Sequence, residues 1–405
     1  MEEKPRLRAL DLVPVQAQGQ RAFLLRDPQG LGAQELLLPA DLAFLVSLFD
    51  GEHTLREVQL GYVRRFGTLV TTGQIEDLAR KLDEALLLDS ERFRQHRAGL
   101  EAEFRARPTR ALAHAGQSYP AAAGELVRTW EPQFAQAALP EDFRLDGHRP
   151  ALVAPHYDMR GAADCYAAAY RLLAAGPRPQ VVVMLGVAHA GGEAPFVLTR
   201  KPYETPLGAL EVDRELVEAL LAQAPGDPLA EEFLHRDEHS IEFGAVLLHA
   251  LYREGEPPRL VPILCGGFHQ GEAGVVDPGE REQVTGFLQV LQGLLAADSR
   301  RIALLAAADL GHVGARFGDP PVSQALLELS RRHDHALLER LQAGDLAGLH
   351  QVLAGEQDRF HVCGFPALWA LGYLAGPKEG RLLHYHQAVE PQTQSCVSFA
   401  AVGLR

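Results

Sequence analysis

Five short strings hold most of the residues able to do chemistry. Pro155-His156-Tyr157-Asp158, Gly186-Val187-Ala188-His189 and Asp309-Leu310-Gly311-His312 each place a histidine just beyond a short apolar run. His235-Arg236-Asp237-Glu238-His239-Ser240-Ile241-Glu242 carries two histidines four apart, and Phe360-His361-Val362-Cys363-Gly364-Phe365-Pro366 joins a histidine to a cysteine. An imidazole changes charge near neutral pH, so it suits metal ligation and proton transfer. A thiolate at a helix N-terminus has a lowered pKa and is a soft ligand or a nucleophile. An extended Phe360–Cys363 would point His361 and Cys363 to one face, with Gly364 and Pro366 leading into a helix over 367–374. On a helix His235 and His239 would share a face, but the order is not the HExxH of metalloproteases. The reading places His239 in a pocket and His235 at the surface. A satisfied core histidine is the ordinary meaning of any one of these positions, and three histidines in equivalent places argue against it.

The elements that must position them are legible from residue 148 onward. Apolar runs at 151–154, 181–185, 260–264 and 302–307 alternate with helical stretches at 161–173, 213–221, 240–252, 280–295 and 322–341, and strands at 381–386 and 398–402 close the chain. Such alternation predicts an α/β fold with a mostly parallel sheet and flanking helices. Ligands of such sheets sit beyond the carboxyl ends of the strands, where His156, His189, Asp309 and His312 fall. Three parts are expected: a small winged-helix-like α/β domain at 1–95, a helical connector at 96–147 rich in Arg, Ala and Glu, and the main domain at 148–405. In the first, Arg21–Arg26 reads as a strand before a turn at Asp27-Pro28-Gln29-Gly30, and Glu35–Leu38 as its return. Asp41 is expected to cap a helix over 42–49. Thr54-Leu55-Arg56-Glu57 has the form of a capping box, and Thr71-Thr72-Gly73-Gln74 opens a third helix.

Composition narrows the function classes. A net charge of −14 over 405 residues argues against nucleic acid as a partner, because that binding rests on basic side chains neutralising phosphates. The four cysteines form no CxxC pair, which excludes zinc-ribbon and thioredoxin spacings, and they are expected to be free thiols. No apolar run reaches the roughly 18 residues of a membrane helix, and the N-terminus lacks a secretory apolar stretch, so no membrane partner and a cytoplasmic location are expected.

The strings APHYDMRGAADCYAAAYRLL, VVVMLGVAHAGG, YETPLGALEVDRELVEALL, HRDEHSIEFGAVLLHAL, LVPILCG, AAADLGHVG and HVCGFPAL occur in the order of the blocks of the Memo family, also called AmmeMemoRadiSam system protein B. This resemblance spans about 150–402. It implies a fold like that of class III extradiol dioxygenases and a metal held by His156, His189 and Cys363, with Asp309, His312 and His239 lining the same pocket. Iron or copper is favoured by two imidazoles and a thiolate, and zinc is compatible. Asp309 then orients a ligand or acts as a base, and His312 and His239 are candidate general acid/base groups. Tyr203 and Glu204 are read as part of a loop over the pocket or as structural. The sequence departs from the family where PHAGY is PHYDMRG, where a His pair after the second strand is a single His, and where CGRHP is CGFP, so the groups around the ligands differ. The implied activity is a non-haem metal-dependent oxidoreductase, O₂-using or not, acting on a small aromatic molecule or a peptide. A non-catalytic metal- or ligand-binding adaptor and a metal-assisted hydrolase are the alternatives. The stretch LFDGEHTLREV, with its hairpin and helices, is similar to PqqD-like domains, which bind a leader peptide along a strand edge and a neighbouring helix; a docking or dimerisation module is the other reading.

Overall fold

The computed structural model describes residues 4–17, 20–27, 29–32, 36–272, 274–376 and 379–405; Pro28 of the expected turn and Glu35 of the expected return strand lie outside them. The chain divides into two compact units, one of Met1–Ala106 with Gly314–Pro321 and Gln392–Gln394, the other of Arg107–Val313, Val322–Pro391 and Ser395–Arg405. Among the described residues no helix is long and apolar enough to cross a membrane.

The first unit holds an antiparallel sheet of β1 (Asp11–Ala17), β2 (Gln20–Arg26) and β3 (Leu36–Pro39), in that order, and helices α1 (Ala40–Ser47), α2 (Leu55–Phe66), α3 (Thr72–Glu84) and α4 (Glu91–Ala106). The expected capping box of Thr54 with Glu57 forms, and the helix expected to open at Thr71 is capped in the same way by Thr71 with Gln74, each box satisfying orphan helix N–H groups. Asp41 does not cap α1. Pro39 holds that position, and Asp41 instead accepts a 3.0 Å hydrogen bond from the Tyr62 hydroxyl. β1 was not foreseen because Pro14 interrupts it, which an edge strand tolerates. β2 is paired on both sides, so the stretch Arg21–Arg26 is not a free edge.

The second unit runs α5 (Ala123–Gln136), β4 (Ala151–Ala154), α6 (Ala163–Ala175), β5 (Val181–Val187), β6 (Phe196–Leu198), β7 (Tyr203–Thr205), β8 (Gly208–Leu210), α7 (Arg214–Gln223), α8 (His239–Leu251) and β9 (Arg259–Cys265). It continues through β10 (Gln270–Gly271), β11 (Gly274–Val275), α9 (Glu282–Ala297), β12 (Ile302–Ala307), β13 (Asp309–Gly314), α10 (Gln324–Gln342), α11 (Leu346–Gly355), α12 (Phe365–Ala375), β14 (Gly380–Glu390) and β15 (Ser395–Leu404). The main sheet has the order β13-β15-β4-β12-β5-β9-β6, with β14 on β15. The inner run β4-β12-β5-β9 is parallel, as the alternation predicts, while β15 and β6 join it antiparallel.

Successive strand residues face opposite layers. Val181, Val183 and Leu185 pack with α7, α9 and α12, whereas Val182 and Met184 pack with α5, α6 and α8. Each such buried valine or leucine contributes about 1.5–3 kcal/mol relative to exposure. The expected connector at 96–147 is divided instead. α4 belongs to the first unit, where Phe93 and Phe104 are buried, and from Arg107 onward the chain belongs to the second. The reason is a helix stripe at Leu126, Trp130 and Phe134, which α5 buries in the layer of Tyr166 and Phe243.

Candidate metal centre

Three parallel neighbours, β4, β12 and β5, end at the same edge of the sheet, and their exits carry His156, Asp309 and His189. Two glycines allow the remaining groups to approach. At Gly186 in β5 a Cβ would stand 2.6 Å from both Ser240 Oγ and Ile241, so the start of α8 can lie against the strand. Ser240 Oγ then accepts from Val187 N (3.0 Å) and donates to Val187 O (3.1 Å), which sets His239 beside His189. At Gly364 a Cβ would stand 2.3 Å from the Asp309 carbonyl, and the Gly364 N–H donates to that oxygen at 3.2 Å. This close approach brings Cys363 to the histidines.

His156 is buried. Its Nδ1 donates to the Ala307 carbonyl at 2.9 Å, which turns Nε2 toward the site. That Nε2 lies 3.3 Å from Cys363 Sγ and 3.5 Å from Asp309 Oδ2. Asp309 Oδ1 accepts the backbone N–H groups of His156 (3.0 Å) and Tyr157 (3.2 Å). His189 gives Nδ1 to Glu238 Oε1 at 3.0 Å and its backbone N–H to Oε2 at 2.9 Å. His239 lies 4.7 Å from His189, ring to ring, with planes 21° apart, and His156 stands edge-on to both. One ring nitrogen from each of His156, His189 and His239 falls within 4.8 Å of the others, a spacing able to hold a metal ion. His312 Nε2 lies 3.9 Å from Cys363 Sγ, and its Nδ1 pairs with Leu310 O.

The charges follow from these contacts. Burial alone would raise the Cys363 thiol, but the imidazoles of His312 and His156 hold it well below the ordinary range. Burial disfavours a charged His156, yet Asp309 and Cys363 outweigh it and push the pKa up to about 9. Burial lowers His239 to about 3 against the pull of Glu238, which keeps that ring neutral and able to ligate. The donor set fits a metal: neutral or proton-exchangeable imidazoles with fixed Nδ1 partners, and a thiolate. Two ligands on one ion, with bonds of about 2.0–2.3 Å, sit roughly 3.5 Å apart in a tetrahedral arrangement, close to the sulfur–nitrogen spacing seen here.

All six site residues read from the sequence are thus brought together. A family model described as Memo-like protein matches residues 110–403. The chain belongs to the Memo family. A MEMO1 family protein of Aquifex aeolicus is 30% identical, the match covering 98% of this chain and 99% of the relative. One from Thermus thermophilus is 30% identical over 87% of this chain and 99% of its own length. Another, from Methanopyrus kandleri, is 30% identical over 73% of this chain and 99% of its own length.

The Memo region therefore starts well before residue 148, and its first matched residue has a structural task. Arg110 is fully buried and ion-paired with Glu242; its Nε donates to His235 O (2.8 Å) and its Nη2 to Glu238 O (2.7 Å). Glu242 also accepts from the Tyr119 hydroxyl and from the N–H groups of Ala113 and His114. Sequence reasoning missed Arg110, Glu242 and Glu238. The Arg110–Glu242 pair spans 132 positions, and only an acidic residue directly before His239 hinted at Glu238. His235 is not at the surface. It closes a short 3₁₀ turn, fully buried, with Nδ1 on the Tyr203 hydroxyl (2.7 Å) and Nε2 on Val197 O (3.0 Å). Tyr203 is therefore committed to the interior, and Glu204 accepts from Thr109 at 2.5 Å. The stretch before Cys363 is not an extended strand, since His361 has φ +49°, yet both His361 and Cys363 line one cleft. That cleft, of about 870 Å³, opens from His189 and Cys363 toward Phe268, Gln270 and Arg281.

Proposed function

We propose that this Memo-family chain is a non-haem metal-dependent oxidoreductase whose iron or copper is held by His156, His189 and Cys363. The observation that carries the reading is the convergence of a thiolate and histidine nitrogens at adjacent strand ends, the His156 and His189 rings turned by Nδ1 hydrogen bonds so that Nε2 faces the others. Strand-end ligands of this kind resemble those of class III extradiol dioxygenases. A bound redox metal supplies one-electron chemistry and Lewis acidity, with coordination positions left open by a partial protein ligand set. The chain's own groups bind and move protons around it. Asp309 orients the first turn of the Pro-His loop through two backbone N–H groups. His312, at 3.9 Å from the thiolate, is placed to hold or release a proton at Nε2. The cleft beside His189 and Cys363 admits a small aromatic molecule or a peptide segment.

The first unit, whose described residues hold a three-stranded sheet and four helices, is read as a winged-helix-like, PqqD-like domain that binds a peptide or protein. Since β2 is paired on both sides, an added strand must use the edge of β1 or β3. Elemental analysis of full-length protein purified without chelator, followed by O₂ uptake with Fe(II), Cu or Zn restored, tests the catalytic reading. About one metal per chain and uptake dependent on iron or copper support it. Metal binding without turnover leaves the adaptor, and activity with zinc alone leaves the hydrolase.

A further inference from the structure

Glu238 is buried and directly precedes His239 at the start of α8. Its Oε1 accepts the Ser240 N–H (2.9 Å), which caps the helix, and the same oxygen lies 3.0 Å from His189 Nδ1 and 3.3 Å from His239 Nδ1. Its Oε2 takes the His189 N–H at 2.9 Å, and its backbone carbonyl is held by Arg110. One carboxylate therefore touches the Nδ1 edges of two imidazoles that stack nearly in parallel. Protons on both Nδ1 atoms leave lone pairs on both Nε2 atoms, on the side of the rings away from Glu238.

We infer that Glu238 is a shared positioning residue that sets the tautomer and angle of His189 and His239 together, making His239 a third imidazole ligand beside His156 and His189. This rests on the metal-binding reading above and extends it from two imidazoles to three. A carboxylate behind a ligating histidine raises its basicity, and loss of such a partner costs about 10–100-fold in metal affinity. Here one residue would act on two ligands.

The arrangement separates capping from positioning. Asp caps helices well, so Glu238→Asp keeps the Ser240 contact, but its side chain is one methylene too short to reach both rings. Glu238→Gln keeps the length and replaces one acceptor oxygen by an amide donor. Full-length wild type, both Glu238 variants and His239→Ala are loaded with Cu(II). Thermal unfolding, competition against a chelator, and the nitrogen splittings in the electron paramagnetic resonance spectrum are then read. Wild type should show coupling to three nitrogens and His239→Ala to two. Glu238→Asp should unfold near the wild-type temperature while binding copper about 10–100-fold more weakly, and Glu238→Gln should also bind more weakly. Two nitrogens in wild type, or wild-type affinity in both Glu238 variants, would overturn the inference while leaving the metal site standing. Wild type without any copper signal would overturn both.

Discussion

Replacing Arg110 by Met removes one half of a fully buried ion pair, and the structure specifies what is left behind. Glu242 keeps three neutral donors, the Tyr119 hydroxyl and the N–H groups of Ala113 and His114, but loses the guanidinium paired with it. The carbonyls of His235 and Glu238 lose their guanidinium donor. Breaking a buried pair from one side costs about 3–5 kcal/mol. The carboxyl has one escape, which is to take a proton. From an ordinary value of 4.5, doing so at pH 7 costs about 3.4 kcal/mol, at about 1.36 kcal/mol per unit. The penalty at pH 7 should therefore be about 3–4 kcal/mol and should depend on pH. In the variant the folded-state pKa of Glu242 rises above its unfolded value, so stability is retained in acid and lost as pH climbs. The difference from wild type should shrink by roughly 1.4 kcal/mol per pH unit between about pH 7 and 5. Both tryptophans, Trp130 and Trp369, lie in the second unit, so fluorescence during urea unfolding reads that unit directly. Arg110→Met/Glu242→Gln, which removes both charges, should be more stable than Arg110→Met alone at pH 7. A pH-independent loss, or a double variant as unstable as the single, would refute the reasoning.

Further expectations follow from other contacts. Cys363→Ser should weaken binding of Cu(I) more than of Fe(II), measured by chelator competition, because a soft thiolate is replaced by a neutral oxygen; equal losses would place the sulfur outside the ligand set. Burial raises Asp334 to about 6 despite hydrogen bonds from Ser398, Tyr385 and Gly311, so its share of stability is present below about pH 4 and lost as pH rises through 6; Asp334→Asn should flatten that slope, by up to about 3 kcal/mol, in urea unfolding from pH 4 to 7. Gly364→Ala should destabilise the protein by at least about 1–3 kcal/mol and reduce metal binding, since its methyl group meets the Asp309 carbonyl. A fragment of 107–405 should give a cooperative unfolding transition that a fragment of 148–405 lacks, because the shorter piece discards Arg110 and the α5 stripe; equal cooperativity would show that this layer is dispensable.

The alternation of apolar runs with helical stretches was enough to establish the parallel core of the sheet, because side-chain periodicity is a local property that burial on both faces leaves in the sequence. The same pattern put His156, His189 and Asp309 at strand ends, and the capping box at Thr54 and the helix start at Thr71 were readable for the same local reason. Tertiary structure decided the rest. His235 and His239 are four residues apart, yet one is sealed against Tyr203 and the other faces the site, since the chain turns between them before α8 begins. Glu238 became the partner of two rings only when Gly186 let α8 settle against β5. Arg110, in a stretch that composition marks as a connector, is drawn into the core by a carboxylate 132 positions away. Periodicity and capping are set by neighbours along the chain; a buried charge finds its partner only through the packing of elements distant in sequence.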